Sequence, residues 1–235
     1  MKRFLAISVL MLLALGCEER KHLKERFPAQ DGLVLVTTLG SAPYAYRDEA
    51  TGEITGIDIE IAREAAKKLK LKLNIEEKEF PELLPAVKSG KADFAAAAIT
   101  ITPSRARDVV FSDPYASDGS AFIYRASDKK PTIPTAANLR IGTQMASISH
   151  FYLCYHDIDP YCFNEYEEAL KEFKNGKLDA VFYDAEPIRE TVRTSNGEYA
   201  MTPLETRENY GIAVRKDFPR LVEAVNQTIE ERGKN

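Results

Sequence analysis

Arg105 and Asp184 are the residues whose types and placement could do chemistry. Arg105 follows Thr102-Pro103-Ser104, where Thr102 reads as a helix cap and Pro103 as the first helical residue after a buried strand. Asp184 closes another apolar strand, Leu178 to Asp184. In open α/β sheets ligands gather beyond the carboxyl ends of the strands. A guanidinium fork there holds a carboxylate through paired hydrogen bonds, and a carboxylate there holds an ammonium. Together the two residues describe a receptor for a zwitterion. A second grouping, His150, Cys154, His156 and Cys162, has zinc-binding residue types, but its spacing matches no standard site.

Alternating strands and helices must position these residues. Leu33 to Thr38 reads as a buried strand, and a helix with Asp58 as its cap carries Ile61, Ala65 and Leu69 on one face. Leu71 to Ile75 is a strand, Pro81 to Ser89 a short helix, and Asp93 to Thr100 a second buried strand. The pattern then repeats: a strand over Leu139 to Gln144, helices over Ser147 to His156 and Glu165 to Lys174, and a further helix from Glu186. Tyr210 to Arg215 is a strand, and Asp217-Phe218-Pro219 opens a last amphipathic helix. Such alternation predicts α/β architecture with mostly parallel sheets flanked by helices. Ser127 to Asn138, rich in Lys, Pro and Thr, reads as the linker beside which a second lobe begins.

The chain has 235 residues, 44% hydrophobic and 29% charged, so it can build one large or two modest cores and is neither disordered nor a multi-span membrane protein. A net charge of −4 argues against nucleic acid as a partner. Gly-rich phosphate loops, nucleophile elbows and zincin motifs are missing, and neither a cofactor nor a metal is expected.

Lys2 and Arg3 precede an apolar run from Phe4 to Leu15, which reads as an export signal over residues 1–16. The ending Leu13-Ala14-Leu15-Gly16-Cys17 resembles a bacterial lipobox and makes Cys17 the expected lipidation site, with residues 17–30 as a polar tether. In an exported chain two thiols eight positions apart more often pair, so a Cys154–Cys162 disulfide is favoured over separate thiols or a metal site.

Five stretches carry a resemblance. Thr37 to Ala62 is similar to the entry region of bacterial extracellular solute-binding proteins of family 3, the polar amino-acid-binding components of ABC transporters. Ile99 to Tyr115, ITITPSRARDVVFSDPY, resembles that family's most recognisable segment, and Ile141 to Ser149, GKLDAVFYD up to Asp184 and YGIAVRKD from Tyr210 follow in order. The resemblance implies a two-lobed type II periplasmic binding fold, with lobe 1 from residues 31–124 plus 204–235 and lobe 2 from 125–203. It implies a monomeric, lipid-anchored receptor in the periplasm or at the cell surface, handing a free amino acid to an ABC transporter permease.

Carried over by position, Arg105 would clamp the ligand carboxylate with help from Thr100. Ala98 and Asp184 would take the ammonium, and Ser147 and Ile148 would offer backbone N–H groups to the carboxylate. Phe80 would pack on the ligand side chain, and Ser41 would line the same space. Thr38 stands where several members carry an Asp, which points toward a polar or small neutral amino acid. Ala98 and Ala146 also depart from the usual Gly or Ser. The sequence stops at Lys234-Asn235, where the family usually adds a short helix, so this end is trimmed or incomplete. Two other functions remain open: a periplasmic cyclohexadienyl or arogenate dehydratase on the same fold, with Glu186 or His150 as candidate acid, or a ligand-sensing domain for a membrane partner.

Overall fold

Leu33, Leu35 and Val36 have almost no contact with solvent, because the strand they form is covered on both faces. The structure, a computed structural model, describes residues 32–234. The export signal, Cys17 and the tether lie outside the described residues. The first part of the chain forms β1 (Leu33–Thr37), a hairpin of β2 (Tyr46–Arg47) and β3 (Ile54–Thr55), α1 (Ile57–Leu69), β4 (Leu73–Glu77), α2 (Phe80–Lys88), β5 (Phe94–Ala95) and β6 (Val110–Phe111). Then come β7 (Ala116–Asp118), β8 (Ser120–Arg125), the single turn α3 (Ile133–Ala136), β9 (Ile141–Gln144), α4 (Ile148–Tyr155) and β10 (Tyr161–Phe163). The chain continues through α5 (Tyr166–Lys174), β11 (Ala180–Asp184), α6 (Ala185–Thr194) and β12 (Tyr199–Met201). It ends with β13 (Glu208–Tyr210), β14 (Ala213–Val214) and α7 (Pro219–Arg232).

Two five-stranded sheets result, ordered β4-β1-β5-β14-β6 and β10-β9-β11-β8-β12. In each, three neighbouring strands run parallel and the fourth runs against them. Leu35, Phe94 and Ile59 pack under α1 and α7 on one face of the first sheet, and Val36, Leu83 and Val87 under α2 on the other. In the second sheet Val181 and Ile123 meet Phe173 and Leu170, while Phe122 and Phe182 meet Leu153. Each such side chain contributes ~1.5–3 kcal/mol by leaving water, so each lobe has its own core.

The lobes are joined by β7 and β13, a two-stranded antiparallel ribbon that pairs Glu208 with Asp118 and Tyr210 with Ala116. The two crossings run so close that a Cβ on Gly119 would lie 2.1 Å from the Thr206 carbonyl oxygen. This hinge corrects the expected lobe border. Ser120–Arg125 belongs to the lobe 2 sheet, paired with β11 and β12, so lobe 2 begins near Gly119 instead of at residue 125. The Lys/Pro/Thr-rich stretch is an ordinary connection within lobe 2, because its composition reports exposure and not position relative to the sheets.

Three elements differ locally from their expected form. The helix α1 starts at Ile57 after Gly56, whose φ of 117° and whose space, 2.2 Å from an added Cβ to the Tyr44 carbonyl oxygen, admit only glycine. Asp58 therefore lies one residue inside the helix, fully buried, and does not cap it. The strand expected over Asp93 to Thr100 ends at Ala95, since Ala98 takes a left-handed backbone (φ 47°) and turns the chain toward the cleft. The strand expected from Tyr210 splits at Gly211 into a hinge strand and a lobe 1 strand.

Candidate functional site: the cleft between the lobes

Arg105 sits on a 3-10 turn (Arg105–Arg107) whose first N–H is held by the Thr102 hydroxyl at 3.2 Å. Its guanidinium donates to the Thr100 carbonyl in lobe 1 (2.9 Å) and to the Ala146 carbonyl in lobe 2 (3.3 Å). The Phe80 ring lies 5.6 Å from the guanidinium carbon, a cation–π distance. Beside it a groove of about 300 Å³ runs along the lobe junction, between Phe80 and Ile99 on one side and Ile148 and Phe151 on the other. Of the five N–H donors of the fork, those not used on the two carbonyls remain to meet a carboxylate.

Asp184 stands at the carboxyl end of β11 in lobe 2, half-buried. Burial above all, then the charges of Glu208 and Asp118, push its carboxyl well above the usual carboxylate range; Arg105 across the cleft and the Tyr210 hydroxyl pull it back. That Tyr210 hydroxyl is itself buried without a partner at full hydrogen-bonding geometry. Arg105 feels Asp184 and Glu208 in turn, and they offset part of what its burial costs. The Arg105 and Asp184 charges thus sense each other without forming an ion pair. An amino acid between them would present its carboxylate to one and its ammonium to the other.

Lobe 2 also brings a helix start to this gap. Ser147 caps α4, accepting from the His150 N–H (3.1 Å) and donating to the Gln144 carbonyl (2.7 Å). Ile148 is the first helical residue, and its N–H is one of those a helix cannot satisfy internally. The Ser147 N–H is already spent on the Gln144 carbonyl at 3.4 Å. Of the two expected N–H donors, Ile148 is the better placed.

A model of bacterial extracellular solute-binding proteins, family 3, matches residues 33–235. The chain belongs to that family. Among relatives of this family 3 protein, the ABC transporter arginine-binding protein 1 of Escherichia coli K12 is 30% identical over 187 residues, covering 77% of this chain and 76% of that protein. The arginine-binding periplasmic protein of Mannheimia haemolytica is 28% identical over 236 residues, 96% and 94% of the two chains. In three dimensions the arginine-bound, truncated ArgBP of T. maritima aligns with TM-score 0.81 at 28% identity, over 86% of this chain and 97% of that one.

Several ligand contacts expected of the family are used differently in this member. The Thr100 hydroxyl donates to Glu208 at 2.5 Å and is not free for a carboxylate. Its N–H stays outside the local ladder, because the bridge to Tyr210 is made by the N–H groups of Gly211 and Ile101. Ser41, expected beside the ligand, is 3% exposed, and its hydroxyl lies 3.0 Å from that of Tyr183 in lobe 2, an interlobe bond. Tyr183 also donates weakly to Gln144 (3.4 Å), whose amide donates to the Asn164 carbonyl (3.0 Å). Thr38 is buried with its hydroxyl unpartnered. Ser41, Tyr183 and Gln144 thus form a chain of uncharged side chains across the lobe junction, and the Tyr183 phenol also feels the Asp184 and Glu167 carboxylates. Gln144 and Tyr183 escaped sequence reasoning, although both lie at carboxyl ends of lobe 2 strands, where the strand-end rule applies.

Asp58, expected as a helix cap, instead supports the Ala98 turn in this family 3 protein. Its Oδ2 accepts from the Ala98 N–H at 2.8 Å and so pins the left-handed turn that aims the Ala98 carbonyl. Burial raises its carboxyl to about 6, against smaller opposing effects from Tyr115 and Ala98, and its Oδ1 has no partner at full geometry. A proton on Oδ1 would relieve both. Because the folded value lies above the unfolded one, the stability this group contributes is present at low pH and lost as pH rises through about 6. Denaturant titrations should therefore show unfolding free energy falling between about pH 4 and 6, with a shallower fall in Asp58→Asn.

The thiols give a correction. Cys154, exposed at the end of α4, and Cys162, part-buried on β10, are both free. The Cys162 thiol turns to the carbonyl of Pro160, just before its own strand (3.7 Å), and not across to α4, although Cys154 is near enough to add to the burial that raises Cys162. Among the described residues no cluster of three His, Cys, Asp or Glu side chains could hold a metal. The residues considered for acid catalysis are also engaged elsewhere: His150 Nδ1 accepts from the Ala146 N–H (3.3 Å), and Glu186 pairs with Arg189 on α6.

Proposed function

We propose that this chain is an extracytoplasmic receptor that closes on a free amino acid and delivers it to an ABC importer, without turning it over. The observation that carries this reading is the placement of Arg105 in lobe 1 and the Asp184 carboxyl in lobe 2, near enough to influence each other with no ion pair joining them. Ligand bridging both lobes favours the closed arrangement by differential contact. The Ile148 N–H and the Ala98 carbonyl complete the carboxylate and ammonium sites. The uncharged chain Ser41–Tyr183–Gln144, with Thr38 where several members carry an Asp, supports a polar or small neutral side chain. Relatives named for arginine binding make arginine the first competitor to test. Cys17, as a lipidated N-terminus, would keep the receptor at the membrane.

A thermal-shift screen of residues 18–235 against the twenty amino acids tests the reading. Binding to the folded state alone raises the melting temperature, by about 2.7 kcal/mol of stabilisation at a hundredfold excess over Kd. A neutral polar amino acid should give the largest shift, and no shift with any amino acid would overturn the proposal.

A further inference from the structure

Glu208 is a buried carboxylate on the hinge ribbon, 5% exposed, and among the described residues no cation forms an ion pair with it. Hydroxyls satisfy it instead. Its Oε2 accepts from Thr100 (2.5 Å), and its Oε1 from Ser120 (2.8 Å) and Thr206 (2.6 Å). Ser120, having spent its one proton on Glu208, accepts in turn from Ser149 at 2.8 Å. Ser149 is buried in the first turn of α4 in lobe 2, whereas Thr100 is in lobe 1 and its carbonyl holds Arg105.

We propose that Glu208 is a positioning residue that couples ligand capture to lobe closure, one hinge carboxylate holding the Arg105 side of the carboxylate site in lobe 1 and the α4 side in lobe 2. The inference rests on the receptor reading above. The chain of bonds Thr100–Glu208–Ser120–Ser149 runs from lobe to lobe through the hinge, so its full length exists only when the lobes stand as they do here. A carboxylate accepts from all three hydroxyls at once; an amide oxygen could keep one arm, while its NH2 would oblige the hydroxyl on the other to turn and accept, exchanging a charge-assisted bond for a weaker neutral one. Breaking an arm leaves a buried hydroxyl unpaired and frees either Thr100 or α4 to move away from the ligand carboxylate. A second effect follows from charge, since Glu208 is, after burial, the main influence holding a proton on Asp184.

The test uses Glu208→Gln and Ser149→Ala, each with the amino acid that gives wild type its largest thermal shift. Affinity and proton release are read by calorimetry, and ligand-induced compaction by small-angle scattering. Glu208→Gln should bind at least tenfold more weakly, compact less on ligand addition and release fewer protons. Ser149→Ala, which cuts only the lobe 2 arm, should lose several-fold in affinity with its unliganded melting temperature close to wild type, and Glu208→Asp should recover part of the loss. The idea is overturned if both variants bind and compact as wild type does, or if Glu208→Gln merely lowers the unliganded melting temperature while affinity and proton count stay put. A wild type that binds no amino acid would instead overturn the receptor reading itself.

Discussion

Replacing Arg105 with alanine should weaken amino-acid binding by roughly 100- to 5,000-fold, the ~3–5 kcal/mol typical when one partner of a buried charge pair is removed. The ligand carboxylate would enter a closed cleft and give up its water with no cation to meet it. Two further losses fall on closure, because the same guanidinium ties the Thr100 carbonyl of lobe 1 to the Ala146 carbonyl of lobe 2. Arg105→Lys keeps the charge but not the fork, so it should recover only part of the affinity. Calorimetry with the amino acid bound by wild type reads the effect. An unchanged Kd in Arg105→Ala would remove the carboxylate clamp and the receptor reading with it.

Asp184 carries the second large effect, and its sign is set by protonation. In the unliganded cleft, burial, Glu208 and Asp118 favour the neutral acid, while Arg105 and the Tyr210 hydroxyl favour the carboxylate. Tyr44 lies close enough to feel the same acids, and its phenol is pushed up by burial and by Asp118, Glu186, Asp184 and Asp58. A ligand ammonium stabilises the carboxylate, so the bound value falls below the free one. Between the two values binding expels a proton and affinity drops as pH drops. Calorimetry in two buffers of different ionisation enthalpy, at pH values above the usual carboxylate range, should give apparent enthalpies that differ by the protons released. Asp184→Asn should lose ~10- to 100-fold in affinity, and its binding should no longer depend on the buffer. Equal enthalpies in both buffers for wild type would show that Asp184 is already ionised before the ligand arrives.

Much of the frame was legible because it is local. Pro219 at the head of α7, the start of α4 beside Ser147 and the apolar run of β1 are decided by neighbours within a few residues, and the structure keeps each of them to within a residue or two. Arg105 and Asp184 stood out because strand ends in α/β sheets gather ligands, whatever the rest of the chain does. The misplaced lobe border has the opposite origin. Whether Ser120–Arg125 pairs with β11 or with lobe 1 is a question of which distant strand offers an edge, and composition near residue 130 does not answer it.

By itself, then, the sequence determined the α/β alternation and the family to which the chain belongs, and nominated Arg105 and Asp184 as the charges of the site. Tertiary structure decided which hydroxyl meets which acceptor. Thr100 turned to Glu208, 108 residues away, and Ser41 to Tyr183, 142 away, so neither hydroxyl is left free for a ligand. It also moved Asp58 from a helix cap to the support of Ala98, and left Cys154 and Cys162 unbridged. Helix caps and apolar periodicity are fixed by short-range sterics and hydrogen bonds. A buried polar group takes its partner from whatever the packing of both lobes brings within about 3 Å, and that is set only when the chain has closed on itself.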